Sequence, residues 1–153
     1  MEHFDLLIIG GGPGGYLCAE RAAQGGMSVA LFEARHMGGT CLNEGCIPTK
    51  TLLNSTKLYR HATESAPFGV TAENVVLDHA AVLKRKGQVV KQLVTGVESA
   101  MKSHKISVIR ETAKIAGRAE GGFQVDAGSE SYTGTRLVIA SGADAAVPPV
   151  AGL

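Results

Sequence analysis

Gly10, Gly12 and Gly15 are spaced G-x-G-x-x-G, directly after an apolar run from Phe4 to Ile9 and directly before a helical pattern from Gly14 to Gln24. A short, nearly continuous apolar run ending at glycine reads as a buried parallel strand. Gly25-Gly26 stops the helix, and Ser28 to Phe32 gives a second buried strand. Strand, glycine turn, helix and strand within about thirty residues make a βαβ unit. Each glycine has a mechanical task. Gly10 permits the tight turn, Gly12 lets a pyrophosphate approach the main chain, and Gly15 lets helix and strand pack closely. The helix start supplies free N–H groups and partial positive charge for phosphates. Glu33 lies eighteen positions past Gly15, where an acidic side chain meets a ribose diol. The turn predicts dinucleotide binding without separating a flavin from a nicotinamide cofactor.

The rest of the chain extends that unit. A second helical pattern spans Thr49 to Thr63, with Leu52, Leu53, Leu58 and Tyr59 as its apolar set. Asp78 is the expected N-cap of a long helix to about Lys102, with Val82, Val89, Val90, Leu93, Val97 and Met101 inward. Lys105 to Arg110 reads as a third strand, and Arg136 to Ala140 as another buried one, ending at Ser141-Gly142. Between them, short alternating stretches from Lys114 to Tyr132, punctuated by glycines, predict an antiparallel meander. The expected fold is therefore α/β: a Rossmann-like domain with a parallel sheet, helices and a small antiparallel β-meander. Residues 1–147 form the domain, and Pro148-Pro149 opens a linker over 148–153.

A formal net charge of +1 gives no footprint for nucleic acid or an anionic membrane, so neither is an expected partner. The run Lys84-Arg85-Lys86 falls in a helical pattern and reads as a solvated face. No targeting segment is visible, and no stretch approaches a membrane span. Three cysteines do not make a secreted disulfide framework, and a cytoplasmic location is the default.

Cys41 and Cys46 stand five positions apart in GGTCLNEGCIPTK, residues 38–50. Zinc would need further ligands, yet His3, His36, His61, His79 and His104 are scattered, so no metal is expected. Inert core thiols are a second reading, but two within six residues among glycines fill a core poorly. Cys18, among alanines on the first helix, reads as a packed apolar residue. A close pair beside a flavin can instead exchange with a substrate disulfide or dithiol. That work needs a thiolate, so an electropositive site is expected, supplied by Lys50 and the following helix start. Spacing adds a constraint: residues five apart on a regular helix have Cα atoms about 8.6 Å apart. A disulfide needs about 4.4–6.8 Å. Either the segment is irregular here or the pair stays as thiols; a distorted turn from Cys41 to Cys46 is predicted, with Gly45 supplying flexibility and Pro48 disfavouring helix at Ile47.

The segment 38–50 closely resembles the active-site signature of the flavoprotein disulfide reductases, the class I pyridine nucleotide-disulfide oxidoreductases, and the likeness runs from the Phe4 strand to Gly152. Leu42 and Thr49 favour the branch that oxidises protein-bound dihydrolipoamide over the mercuric and glutathione reductase types. The resemblance implies FAD as cofactor, with Gly10, Gly12, Pro13, Gly14, Gly15, Glu33, Ala34, Gly39, Thr40, Lys50, Ala113, Ser141 and Gly142 binding it. It assigns Cys41 as the interchange thiol that meets substrate and Cys46 as the thiol beside the flavin. Lys50 would contact the flavin ring, Glu33 the adenosine ribose, and the Ala113 backbone the adenine. NAD in the full-length parent, a homodimer, and lipoyl domains of 2-oxoacid dehydrogenase complexes complete what it implies. A later FAD segment, the NAD domain and an interface domain bearing a His-Glu base are not in these residues, so the segment alone is expected to be inactive. A non-catalytic dinucleotide-binding module is the alternative from a different class.

Overall fold

The computed structural model describes residues 1–144 and 146–152; position 153 of the expected linker and position 145 of the expected domain lie outside the described residues. Strands β1 (Glu2–Ile9), β2 (Val29–Phe32), β3 (Ser107–Ile109), β4 (Ala113–Ala119), β5 (Gly122–Ala127) and β6 (Glu130–Ile139) form one sheet. Helices are α1 (Pro13–Gln24), α2 (Gly39–Asn43), α3 (Cys46–Thr63) and α4 (His79–Ser103), with a 3-10 turn at Ala66–Phe68. The strand order is β3-β2-β1-β6-β5-β4. The first four run parallel, and β5 and β4 add an antiparallel extension. The α/β class, the parallel sheet and the antiparallel meander are as the sequence predicts.

Two apolar clusters hold the sheet. Leu6, Ile8, Val29 and Leu31 pack with Ala19 of α1 and Met101 of α4 on one face. Leu7, Ala30 and Phe32 join Val125 and Ala127 of β5 and Tyr132 of β6 on the other face, so one apolar cluster spans the parallel strands and the antiparallel extension. Leu7, Ile8, Leu31 and Phe32 are essentially solvent-free. Each such side chain contributes roughly 1.5–3 kcal/mol over leaving it exposed. Cys18 packs against the first cluster, as expected of a small apolar residue.

Several local expectations change. The second helix starts at Cys46, not Thr49, and includes Ile47. Pro48 is tolerated there because first-turn N–H groups lack helical partners anyway. Leu53, Leu58 and Tyr59 of the expected apolar set are exposed, by 61%, 63% and 39%. The residues that α3 buries are Pro48 and Thr51, since it packs on α2 and α4 rather than on the sheet. Helical spacing marks an apolar stripe but not what covers it. On α4, Leu93 is also exposed, while Val94 packs on the core in line with Val97 and Met101. The strand expected at Arg136 to Ala140 is the second half of β6, whose first half belongs to the meander. Ser131 to Thr135 lacks an apolar pattern, yet pairing with β5 on one side and β1 on the other holds it extended.

Candidate cofactor cleft and dithiol site

Parallel strands deliver their carboxyl ends to one edge, and here Ile9 lies level with both Phe32 and Ile139. The residues that follow each strand therefore meet: Gly10 after β1, Glu33 after β2, Ser141 after β6. A cleft of about 640 Å³ opens there. That is the expected ligand position for a parallel α/β sheet.

The glycines divide into two kinds. A Cβ on Gly15 would sit 1.8 Å from the Gly10 carbonyl oxygen, and one on Gly10 would sit 2.2 Å from that of Ala140. These two hold backbone against backbone. A Cβ on Gly12 or Gly14 would meet nothing closer than 3.9 or 3.7 Å. That space belongs to the cleft, at the start of a twelve-residue helix whose Gly12 N-cap has no side-chain cap and whose first turn holds no acid. A pyrophosphate fits this cradle, where helix N–H groups and dipole favour anions.

Glu33 lines the same cleft. One carboxylate oxygen accepts the Gly11 N–H and the other the Arg35 N–H, each at 2.7 Å. These bonds fix the carboxylate at the cleft wall. The Arg35 guanidinium in turn donates to Glu44 at 2.6 Å. Both side chains are more than half exposed, so the pair is worth about 1 kcal/mol at most.

Across from the glycine turn, the loop Met37–Gly39 and helix α2 form the opposite wall. The Gly38 N–H donates to the Gly11 carbonyl at 2.8 Å. A Cβ on Gly39 would come within 2.8 Å of the Gly12 Cα, so only glycine permits this approach. Cys41 lies half-buried on α2 and lines the cleft. The helix breaks at Glu44 and Gly45, whose N–H groups both donate to the Thr40 carbonyl, and Cys46 starts α3. The predicted distortion between the cysteines is thus a helix break. Both are free thiols, with Cys46 exposed.

A hydrogen bond with Cys46 pushes the Cys41 thiol above the ordinary thiol range, helped by partial burial and by charge on Cys46. Lys50 pulls it down, but the upward effects win. The expected electropositive site is therefore only partly realised: Lys50 acts in the expected sense and is outweighed by the second sulfur.

Of the residues singled out in the sequence, Gly10, Gly12, Pro13, Gly14, Glu33, Gly39, Thr40, Cys41, Ser141 and Gly142 line one cleft. Gly15 is buried behind the turn, and Ala34 is exposed beside Glu33. Cys46 and Lys50 sit at the start of α3 next to Cys41, outside the lining. Ala113 begins β4 and packs on the second core cluster, also outside the lining. The sequence did not single out Arg35, His36, Asn43, Glu44, Ala140, Ala143 and Asp144, which complete the wall. Ala143 and Asp144 continue from Ser141-Gly142, and Asn43 and Glu44 fall inside the segment 38–50, so these four could have been read from their motifs; Arg35, His36 and Ala140 carry no local signal. Among the described residues, no group of three or more His, Cys, Asp or Glu could hold a metal ion. No helix there is long and apolar enough to cross a membrane.

Residues 4–153 match the family model described as pyridine nucleotide-disulphide oxidoreductase. The chain is 41% identical over 153 residues to a dihydrolipoyl dehydrogenase of Acholeplasma laidlawii, covering 99% of this chain and 44% of that protein. It is 38% identical over 143 residues to mitochondrial dihydrolipoyl dehydrogenase 1 of Arabidopsis thaliana, covering 92% and 28%. Its fold matches the Cu(II) complex of the HOCl-induced flavoprotein disulfide reductase RclA from Escherichia coli, with a TM-score of 0.76 and 28% identity. That match covers 95% of this chain and 29% of the other. The chain thus spans less than half the length of each of these relatives.

Proposed function

The chain belongs to the pyridine nucleotide-disulphide oxidoreductase family, and from that premise we propose that it is the FAD-binding, dithiol-bearing part of a dihydrolipoyl dehydrogenase. One observation carries this reading: the phosphate cradle at Gly12 and Gly14 and the thiol of Cys41 face one cleft, with Cys46 against Cys41. Support for FAD comes from the family and the flavoprotein relative. The relatives' names favour dihydrolipoamide over mercuric ion or glutathione as the substrate type.

In this reading Gly12 to Gly15 cradle the FAD pyrophosphate, Glu33 takes the adenosine ribose, and Ala113 meets the adenine through its backbone. Pro13, Ala34, Gly39, Thr40, Ser141 and Gly142 complete the contact, and Lys50 lies near the flavin ring. A thiolate of dihydrolipoamide attacks Cys41 of a Cys41–Cys46 disulfide, and Cys46 leaves as thiolate. The second lipoyl thiol then attacks the mixed disulfide, releasing lipoamide and freeing Cys41. Two electrons and two protons leave the substrate, and the protein disulfide becomes a dithiol. Bound FAD supplies a two-electron carrier from that dithiol to NAD. Residues 1–147 serve as the FAD domain and 148–153 as its exit linker. The full-length protein works as a cytoplasmic homodimer on lipoyl domains of 2-oxoacid dehydrogenase complexes.

The test is spectroscopic. Full-length protein loaded with FAD and reduced by dihydrolipoamide should develop long-wavelength absorbance that Cys46→Ser removes. Cys41→Ser should keep the flavin and lose exchange with lipoamide. A preparation that cannot be reconstituted with FAD, or unaltered turnover in either variant, sinks the proposal.

A further inference from the structure

Asn43 lies between the two cysteines, and its side chain ties together the pieces that must stay in register. Its Nδ2 donates to the Gly39 carbonyl at 2.9 Å and to the Met37 carbonyl at 3.1 Å. Met37 is fully buried in the first core cluster. Gly38 donates to Gly11, and Gly39 lies against Gly12. The loop that Asn43 grips is therefore the one fastened to the phosphate cradle. At its other end, Asn43 closes α2, immediately before the break that leads to Cys46.

Helix α2 has only five residues, too few to hold its place by its own hydrogen bonding. Leu42 is its buried anchor. An apolar contact is non-directional and leaves rotation of the turn weakly fixed. Two hydrogen bonds from one planar amide are directional. We propose that Asn43 is a positioning residue. Its amide holds Cys41 at the cleft wall and within reach of Cys46, and so sets the thiol–disulfide equilibrium of the pair.

This rests on the dithiol reading of Cys41 and Cys46, and the experiment separates the two. The protein is equilibrated in glutathione buffers of graded ratio, quenched in acid, and its thiols are counted by mass after alkylation. One glutathione disulfide is consumed and two glutathione thiols are released as the Cys41–Cys46 bond forms. Failure of the unaltered protein to form this bond removes the dithiol reading itself. Where it forms, Asn43→Asp, which keeps the shape but turns two donors toward acceptors, should shift the equilibrium about tenfold toward the dithiol. Asn43→Ala should shift it similarly, with circular dichroism confirming the fold. A shift below about twofold in a folded variant overturns the proposal. Hydrogen exchange of the Asn43 side-chain amide, followed by NMR in the unaltered protein, needs no variant. Protection supports the two bonds, and exchange at the rate of a free asparagine overturns them.

Discussion

A methyl group added at Gly12 and one added at Gly15 would have opposite consequences, although both glycines belong to one turn. At Gly15 the new carbon would land 1.8 Å from the Gly10 carbonyl oxygen, so backbone must move. Gly15→Ala should cost roughly 1–3 kcal/mol of stability, read by thermal or denaturant unfolding. At Gly12 the new carbon enters the cleft, with φ at −73°, which any residue adopts. Gly12→Ala should fold normally and weaken FAD binding by about tenfold or more, the worth of a lost charge-assisted hydrogen bond, measured by flavin fluorescence titration. Equal loss of stability in both would contradict the assignment of Gly12 to the cradle and Gly15 to the backbone contact. The thiols offer a second residue-level prediction. Cys46 is the chief cause of the raised Cys41 pKa, and Lys50 opposes it. Only the thiolate is alkylated. Cys46→Ala should therefore move the pH profile of Cys41 alkylation to lower pH, and Lys50→Gln should move it higher. Movement in the reverse sense would show that the second sulfur does not govern the first.

At the scale of elements, Asp78 shows what local sequence can specify. Its carboxylate accepts the Ala81 N–H at 3.0 Å and starts the 25-residue helix α4. Asp78→Ala should cost about 1 kcal/mol, seen as a lower unfolding midpoint with the fold intact. This cap was legible because its physics lies within four residues. The glycine turn and the first two strands were legible for the same reason, and the five-residue cysteine spacing called for an irregular segment if the pair is to be bridged, which is where the helix breaks. Leu53, Leu58 and Tyr59 were misread because burial depends on which neighbour arrives, and α3 meets α2 and α4 instead of the sheet. The join of meander and parallel sheet in β6 was missed because its hydrogen bonds come from β1, about 130 residues earlier. Arg35 was missed as a wall residue for a related reason. Its partner, Glu44, is set by the fold of the loop at 37–39 and by the break before Cys46, not by any periodic pattern.

The whole molecule depends on how firmly the antiparallel extension is joined to the parallel strands, and Tyr132 of β6 lies in the apolar cluster that the two parts share. Its ring packs edge-on to Phe32 at 5.3 Å and lies 6.5 Å from Phe4. Its hydroxyl donates to Glu130 at 2.7 Å. That hydrogen bond, then burial and the Glu130 charge, raises the phenol from 10.0 to about 12. The direction of the linkage follows. Below pH 10 the phenol is protonated in both folded and unfolded chains, and its stabilisation is fully present. Between pH 10 and about 12 the unfolded chain loses the proton while the folded chain keeps it, so stability falls as pH rises. Other groups titrate in the same window, so the difference from Tyr132→Phe isolates this one. The variant keeps the ring packing and loses the bond to Glu130, which should cost about 1 kcal/mol near neutral pH. The gap between the two proteins, measured by urea unfolding at a series of pH values, should narrow as pH rises through the window. A gap that stays constant across it would mean that Tyr132 ionises alike in both states, and that the bond to Glu130 does not hold its proton in the folded protein.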